Sequence, residues 1–380
     1  MLQDIAIVSS KRTPIGRGKK GAFANVRPDT LGGVTVKAVL EDAGLAPSKV
    51  DDIIVGCAMP EGEQGMNVAR TIGYLGGLPL EASAATINRF CSSGLHAVND
   101  VAKSIAVGEI DIGIAGGAES MSLVPMGGYK PAPHPGLMND VPGFFASMGI
   151  TAENVASRYD VSRQAQDEFA LESHLRALKA QENGWFDDEI CPVEINGQTI
   201  SKDEGPRAGS TLEALAKLRP AFHAKGTVTA GNSSQVSDGA ASALMMNGDK
   251  AKAEGLNIMG YFRAFYTVGV DPEVMGIGPV PAVQKLLQKT GLTIDEIGVV
   301  ELNEAFAAQA VYCMRELNID HEKVNPVGGA IALGHPLGCT GARQVATILR
   351  EMKRRDAQYG ICTMCIGGGQ GAAALIELAK

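Results

Sequence analysis

The sequence predicts an α/β fold made of two similar halves, with a separate block inserted into the first. Three observations lead there. Short apolar runs alternate with helically spaced segments along most of the chain. The second half repeats landmarks of the first at a constant offset of 247 residues. Residues from about 119 to 245 break that rhythm.

Taken in order, Ile5-Ala6-Ile7-Val8 is a short buried strand, and Leu31 to Leu45 has helical spacing with a stop at Gly44. Ile53-Ile54-Val55 is a second strand, and Ala84 to Ile87 is strand-like. Ile112-Gly113-Ile114-Ala115-Gly116-Gly117 reads as a central strand whose glycines allow close approach to the backbone. The repeat then maps Asp52–Gly56 onto Val299–Asn303 and Gly94–Val98 onto Gly341–Val345. It pairs the glycine-rich strand end at 113–117 with Ile366-Gly367-Gly368-Gly369. Inside the interrupting block, Met126 to Pro142 reads as a flexible, mostly apolar loop rich in Pro, Gly and Met, and a helix is expected from about Ser162 to Asn183. The expected division is 1–120 with 246–258 as the first half, 121–245 as an inserted loop domain, and 259–380 as the second half.

Composition narrows the function classes. The chain has 380 residues, 45% hydrophobic and 20% charged, enough for two or three packed units around a large core. A net charge of −8 argues against nucleic acid and anionic membranes as partners. Locally, Lys202, Arg207, Lys217, Arg219 and Lys225 outnumber Asp203, Glu204 and Glu213, which offers an anion a landing place or is simply a solvated helix face. No secretory leader and no membrane span are expected, and the final Leu-Ala-Lys differs from a Ser-Lys-Leu signal. Seven scattered cysteines suit a reducing compartment, so a cytoplasmic location is expected.

Four short stretches can carry chemistry. Phe90-Cys91-Ser92-Ser93-Gly94 joins a strand to a helix, where free N–H groups and the helix dipole would lower a thiol pKa. Alternatively, Cys91 is a small buried hydrophobe. His335, held between Gly334 and Pro336, is a candidate base or a turn residue with a structural hydrogen bond. Cys362 and Cys365 form a CxxC without a second metal-binding half, so a reactive Cys365 before the Gly367-Gly368-Gly369 run stands beside a weak zinc or redox reading. Asn303, after the strand Val299–Leu302, can hold a water or a carbonyl, or cap a helix.

Together these stretches resemble the thiolase family. The matching motifs are Asn88-Arg89-Phe90-Cys91-Ser92-Ser93-Gly94, Gly116-Gly117-Ala118-Glu119-Ser120-Met121-Ser122, Ala230-Gly231-Asn232-Ser233-Ser234 and Val274-Met275-Gly276-Ile277-Gly278-Pro279. Asn303-Glu304-Ala305-Phe306-Ala307, Gly334-His335-Pro336-Leu337-Gly338-Cys339-Thr340-Gly341 and Cys365-Ile366-Gly367-Gly368-Gly369 complete them in family order. The resemblance implies two five-stranded halves in a layered αβαβα core with an inserted loop domain. It implies Cys91 as acylated nucleophile, His335 as its activator and Cys365 as carrier of the substrate α-proton. Asn303 would position a water that forms one oxyanion hole with His335, and the N–H groups of Cys91 and Gly367 would form the other. Arg207 and Ser234 would contact coenzyme A, and Met148 and Met275 would line the acyl pocket.

Cys91-Ser92-Ser93-Gly94, His335-Pro336-Leu337-Gly338-Cys339-Thr340 and Ser233-Ser234-Gln235-Val236-Ser237-Asp238 look like the degradative 3-ketoacyl-CoA type rather than the acetoacetyl-CoA type, which remains the alternative, and Ser147-Met148, where many short-chain members have His-Met, speaks against a short-chain-only pocket. A ketoacyl synthase would lack Cys365, and a non-catalytic lipid-binding relative would have no use for all four reactive residues. The resemblance further implies acyl-CoA, acetyl-CoA and coenzyme A as reaction partners, coenzyme A as co-substrate with no permanently bound cofactor or metal, and a homodimer or dimer of dimers.

Overall fold

In the computed structural model, which describes residues 4–380, nine main strands form one continuous sheet. The first half contributes β1 (Ile5–Arg12), β2 (Asp52–Gly56), β3 (Ser83–Ile87), β4 (Ile112–Ser120) and β5 (Ser237–Asn247). The second contributes β6 (Gly260–Gly269), β7 (Ile297–Leu302), β8 (Tyr359–Ile366) and β9 (Gln370–Leu378). Their order across the sheet is β7-β8-β9-β6-β1-β5-β4-β2-β3, with a two-residue strand Gly16–Arg17 added against β5.

The halves meet at β1 and β6, where only Ile5, Ala6 and Ile7 pair, with Phe262, Tyr261 and Gly260. Side chains alternate across this junction as the pleat requires. Ile5 and Ile7 enter one core with Ile54, Leu95, Val345 and Met364, whereas Ala6 and Val8 enter another with Leu31, Ile53 and Ile114.

Helices fill three layers. Helices α1 (Pro28–Ala43) and α2 (Val68–Leu75) cover the outer face of the first half. α3 (Ser93–Ala106) and α8 (Leu337–Arg355) lie between the halves. α6 (Pro279–Thr290) and α7 (Ala307–Leu317) cover the outer face of the second. The remaining long helices, α4 (Met148–Arg158) and α5 (Arg163–Glu182), belong to the inserted block. α1 stops where expected, with Gly44 in the left-handed region at φ 63°. α5 starts from Ser162, whose side chain accepts the Ala165 N–H.

The repeat has a physical counterpart in the middle layer. Gly94 on α3 and Gly341 on α8 are 247 residues apart and sit at the helix crossing. A Cβ on Gly94 would lie 2.6 Å from the Gly338 carbonyl oxygen, and one on Gly341 would lie 2.3 Å from the Leu95 nitrogen. Only glycine at both positions lets the helix backbones approach this closely.

Three expectations need correction. The glycine-rich strand end at 113–117 corresponds to 360–364 inside β8, not to Gly367–Gly369, because β4 and β8 both keep the offset of 247. The inserted block ends near 236, not at 245. Residues 237–245 lie within β5, which is hydrogen-bonded to both β1 and β4. The second half has four strands, and its fifth is reduced to a single bridge between Val300 and Val324.

A buried charge cluster fastens the insertion to the sheet. Arg12, at the end of β1, is fully buried, and its guanidinium donates to Glu189 Oε1 at 2.6 Å and to both Asp203 oxygens at 2.7 and 2.9 Å. Opposing carboxylates outweigh burial and raise its pKa further. Replacing Arg12 by alanine would strand two buried carboxylates, and a loss of about 3–5 kcal/mol is expected. Guanidinium-induced unfolding of the variant tests this; an unchanged midpoint would rule out a structural role for the cluster.

Candidate active site

Residues 88–93 build a strained turn between β3 and α3. Phe90 has φ 43°, unusual for a non-glycine residue, and its N–H is held by Asn88 Oδ1 at 2.8 Å. Asn88 Nδ2 donates to the Ala58 carbonyl at 3.0 Å, and the Ser93 hydroxyl both accepts the Arg89 N–H at 2.9 Å and donates to the Phe90 carbonyl at 2.7 Å. This side-chain lacing fixes Cys91 in the last turn before α3, 7% exposed, with the Gly367 N–H and its own N–H directed at the sulfur.

Expectation and structure differ on the acidity of that thiol. The helix N-terminus was expected to lower it, but burial prevails and pushes Cys91 up to about 11 despite the two N–H groups. A proton acceptor is therefore needed when the sulfur attacks.

His335 meets that need. Its N–H is shared between the Gln235 carbonyl (3.3 Å) and Ser237 Oγ (3.2 Å), and Gly334 precedes it at φ 106°. A Cβ at Gly334 would come within 2.3 Å of Ser237 Oγ, so glycine is required on both steric and conformational grounds. Burial and the nearby Arg343 lower the imidazole to about 3, which keeps it neutral. Its Nδ1 lies 2.6 Å from Thr340 Oγ1, whose hydroxyl donates to the Pro336 carbonyl at 3.0 Å. With that hydrogen committed, Thr340 accepts from Nδ1–H, which leaves Nε2 unprotonated and an acceptor. Asn303 Nδ2 stands 3.2 Å from this Nε2.

Thr340 thus orients the base. Thr340→Val keeps the shape and removes the hydroxyl, leaving Nδ1 unpaired. The expected effect is a fall in kcat of about ten- to a hundredfold with KM little moved, and recovery in Thr340→Ser. Parental kcat in the valine variant would refute this role.

Asn303 follows β7, with its N–H donating to the Thr363 carbonyl at 2.9 Å and its own carbonyl accepting from Gln309 Nε2 at 3.2 Å. Its Oδ1 is buried without a hydrogen-bond partner, a free acceptor beside the base. Cys365 is fully buried near the end of β8, packed with Met148, Met275 and Phe306. Burial raises its thiol well above the ordinary range, and charge on the nearby Cys91 raises it further, so the two sulfurs are neighbours. Cys362 packs in the core between the halves, on the opposite strand face from Cys365, so this CxxC cannot close on a common metal ion. All seven cysteines are free and buried.

Cys91 and His335 open into a cavity of about 250 Å³, lined also by Ser234, Met148, Met275, Met126, Phe222 and Phe306. Three of the four expected substrate contacts, Ser234, Met148 and Met275, are therefore on its wall. Arg207 is not. It lies exposed nearby, its backbone N–H donating to His174 Nδ1 at 3.3 Å. Among the described residues of the 126–142 loop, Met126 alone lines the cavity.

Sequence reasoning assigned no role to Glu119. This fully buried carboxylate at the end of β4 accepts from the N–H groups of Ala58 (2.7 Å), Met59 (3.2 Å) and Gly338 (2.8 Å) and from Gln64 Nε2 (2.8 Å). It joins the Cys91 side of the site to the start of α8, directly after His335. An acid within an otherwise apolar, glycine-rich strand was the available signal.

Comparison with known proteins agrees with this geometry. The family models for the thiolase N-terminal and C-terminal domains match residues 5–249 and 256–378. A 3-ketoacyl-CoA thiolase of Bacillus subtilis is 53% identical over 99% of this chain and 100% of its own length. The dimeric peroxisomal thiolase of Saccharomyces cerevisiae superimposes with a TM-score of 0.93 at 45% identity, covering 99% of this chain and 98% of that one. The acetyl-CoA acetyltransferase of Bacillus anthracis does so with 0.91 at 39% identity, covering 100% and 99%. Matched along almost its whole length, this chain belongs to the thiolase family.

Proposed function

We propose that this chain is an acyl-CoA:acetyl-CoA C-acyltransferase that cleaves 3-oxoacyl-CoA with coenzyme A, reversibly, through an acyl-cysteine. The observation carrying this is the convergence of two buried thiols, a neutral imidazole and an amide from four separate segments around one cavity. In the forward direction Cys91 sulfur attacks the C3 ketone as its proton passes to His335 Nε2. The C2–C3 bond then breaks, leaving the acyl group on Cys91 and an acetyl-CoA enolate, which Cys365 protonates at C2. The thiol of an incoming coenzyme A next attacks the acyl-cysteine. Its proton resets Cys365, and the proton on His335 returns to Cys91. Charge develops on oxygen in both halves. The N–H groups of Cys91 and Gly367 serve one oxyanion, and a water held by Asn303 together with His335 serves the other.

The apolar cavity favours a 3-ketoacyl substrate longer than acetoacetyl. Each buried methylene stabilises by about 0.8 kcal/mol, so two more should raise kcat/KM about tenfold over acetoacetyl-CoA. A panel of 3-oxoacyl-CoA substrates in a thiolysis assay tests this, and a strong preference for acetoacetyl-CoA would reverse it.

The chain works as a homodimer in this reading. β3 is an open sheet edge, and Met66 and Leu80 beside it are 100% and 69% exposed, a surface suited to a second copy. Seven unpaired cysteines support a reducing, cytoplasmic setting. Among the described residues no helix is long and apolar enough to cross a membrane.

A further inference from the structure

The two N–H groups directed at the Cys91 sulfur come from different halves of the chain, that of Cys91 from the first and that of Gly367 from the second. Their spacing is therefore set by whatever ties the nucleophile turn to the loop between β8 and β9. The two lie against each other, since a Cβ on Gly367 would meet the Phe90 ring at 3.7 Å. The loop is three glycines long, with Ile366 and Gln370 paired across its base and Gly368 and Gly369 at φ 77° and 82°. Having no side chains, it offers only its backbone for anchoring. The Gly369 carbonyl accepts the Val270 N–H at 2.8 Å, a tie within the second half.

Arg89 supplies a tie across the boundary. It precedes Phe90 in the nucleophile turn, and its Nη1 donates to Gln370 Oε1 at 3.1 Å, 281 residues away. A guanidinium only donates, so the amide oxygen of Gln370 is the atom that faces it. Its Nε donates to His96 Nδ1, in the first turn of α3, at 2.7 Å. Nδ1 must then carry a lone pair, which places the imidazole hydrogen on Nε2, 3.3 Å from Asp100 Oδ1. The His96 ring also lies 5.4 Å from that of Phe265 on β6, centroid to centroid. Asp100, His96, Arg89 and Gln370 thus form one chain of partly buried polar side chains from α3 to the first residue of β9. Among the described residues the Arg89 guanidinium has no carboxylate partner; it is spent on an imidazole and an amide.

We propose that Arg89 is a positioning residue for catalysis: by joining the nucleophile turn to Gln370, it holds the N–H groups of Cys91 and Gly367 at the spacing one oxyanion needs. This rests on the acyl-cysteine reading above. Both donors point at the Cys91 sulfur, so the oxygen they reach is the one on the carbon bonded to that sulfur. That oxygen gains charge when Cys91 is acylated and again when the acyl group leaves. Oxyanion donors accelerate a reaction only when they are aimed at charge developing in the transition state. A slack loop therefore slows the chemistry and leaves substrate binding nearly untouched.

The test compares Arg89→Met, Gln370→Met and the double variant, each of which keeps side-chain length and removes the bond. Each single variant should lower kcat for thiolysis about ten- to a hundredfold, with KM within about twofold of the parent's. Single-turnover acylation of Cys91 by acetyl-CoA, followed by rapid quench, should slow by the same factor. The double variant should be no slower than Arg89→Met, because one bond is lost only once. Gln370→Glu still accepts from the guanidinium and should restore kcat to near the parental value. Gln370→Met leaves every contact inside the nucleophile turn intact, so it decides the matter if Arg89→Met does not fold. Parental kcat in either single variant, a loss carried by KM, or losses that multiply in the double variant overturns the brace. Absence of Cys91 acylation in the parent chain would instead overturn the acyl-cysteine reading itself.

Discussion

Replacing Cys91 by alanine is expected to abolish thiolysis, with a loss of roughly 10⁴-fold or more. The magnitude follows from the covalent route. Without the sulfur neither half-reaction has an acceptor for the acyl group, and the oxyanion donors alone cannot substitute for a bond. The protonated resting thiol, pushed up to about 11, also makes the step depend on His335 as proton acceptor. Incubating the parent chain with an acyl-CoA should leave one acyl group on Cys91, found by peptide mass spectrometry and absent from the alanine variant. A label on Cys365 or Cys339 would show that the nucleophile has been misassigned.

Cys365→Ser should separate the two half-reactions. Transfer of an acyl group from acyl-CoA to Cys91 moves no α-proton, so acylation of Cys91 by acetyl-CoA persists. Cleavage and condensation both need a proton moved at the acetyl α-carbon. A serine hydroxyl is far less acidic than a thiol, so overall thiolysis should fall by about 10²–10⁴-fold. Exchange of the acetyl-CoA methyl protons with deuterated water should stop as well. Rapid-quench acylation and exchange followed by NMR read the two steps independently. Exchange at the parental rate would assign the proton to another group, with His335 the next candidate. The geometry favours Cys365 because it packs directly against Met148 and Met275 on the cavity wall and neighbours the Cys91 sulfur.

Local pattern carried a large part of the fold. α1 and α5 were legible because helical spacing ended at Gly44 in one case and began after a Ser cap at 162 in the other. The duplication was legible because the crossing of α3 and α8 admits only glycine at 94 and 341, which leaves a mark at a constant offset. β5 was not, because Ser237–Asn247 is buried between two neighbouring strands on a run of small residues with no period-two alternation.

The candidate site divides along the same line. Cys91, Asn303, His335 and Cys365 could be named from the sequence, since Cys91, His335 and Cys365 stand close to Gly, Pro or Ser, Asn303 directly follows a strand, and together they resemble one family. What they do to one another could not. A cysteine at a helix start predicts an acidic thiol, yet the depth of its burial reverses the sign, and burial is a property of everything packed around it. The Glu119 carboxylate that ties the Cys91 side to α8 and the Asn303 amide set beside His335 arise only when separate segments are brought together. The sequence by itself determined which groups are present and which local turns hold them. Only the tertiary structure decided their protonation, their partners and their reach, because desolvation and hydrogen-bond geometry depend on distances that no single segment encodes.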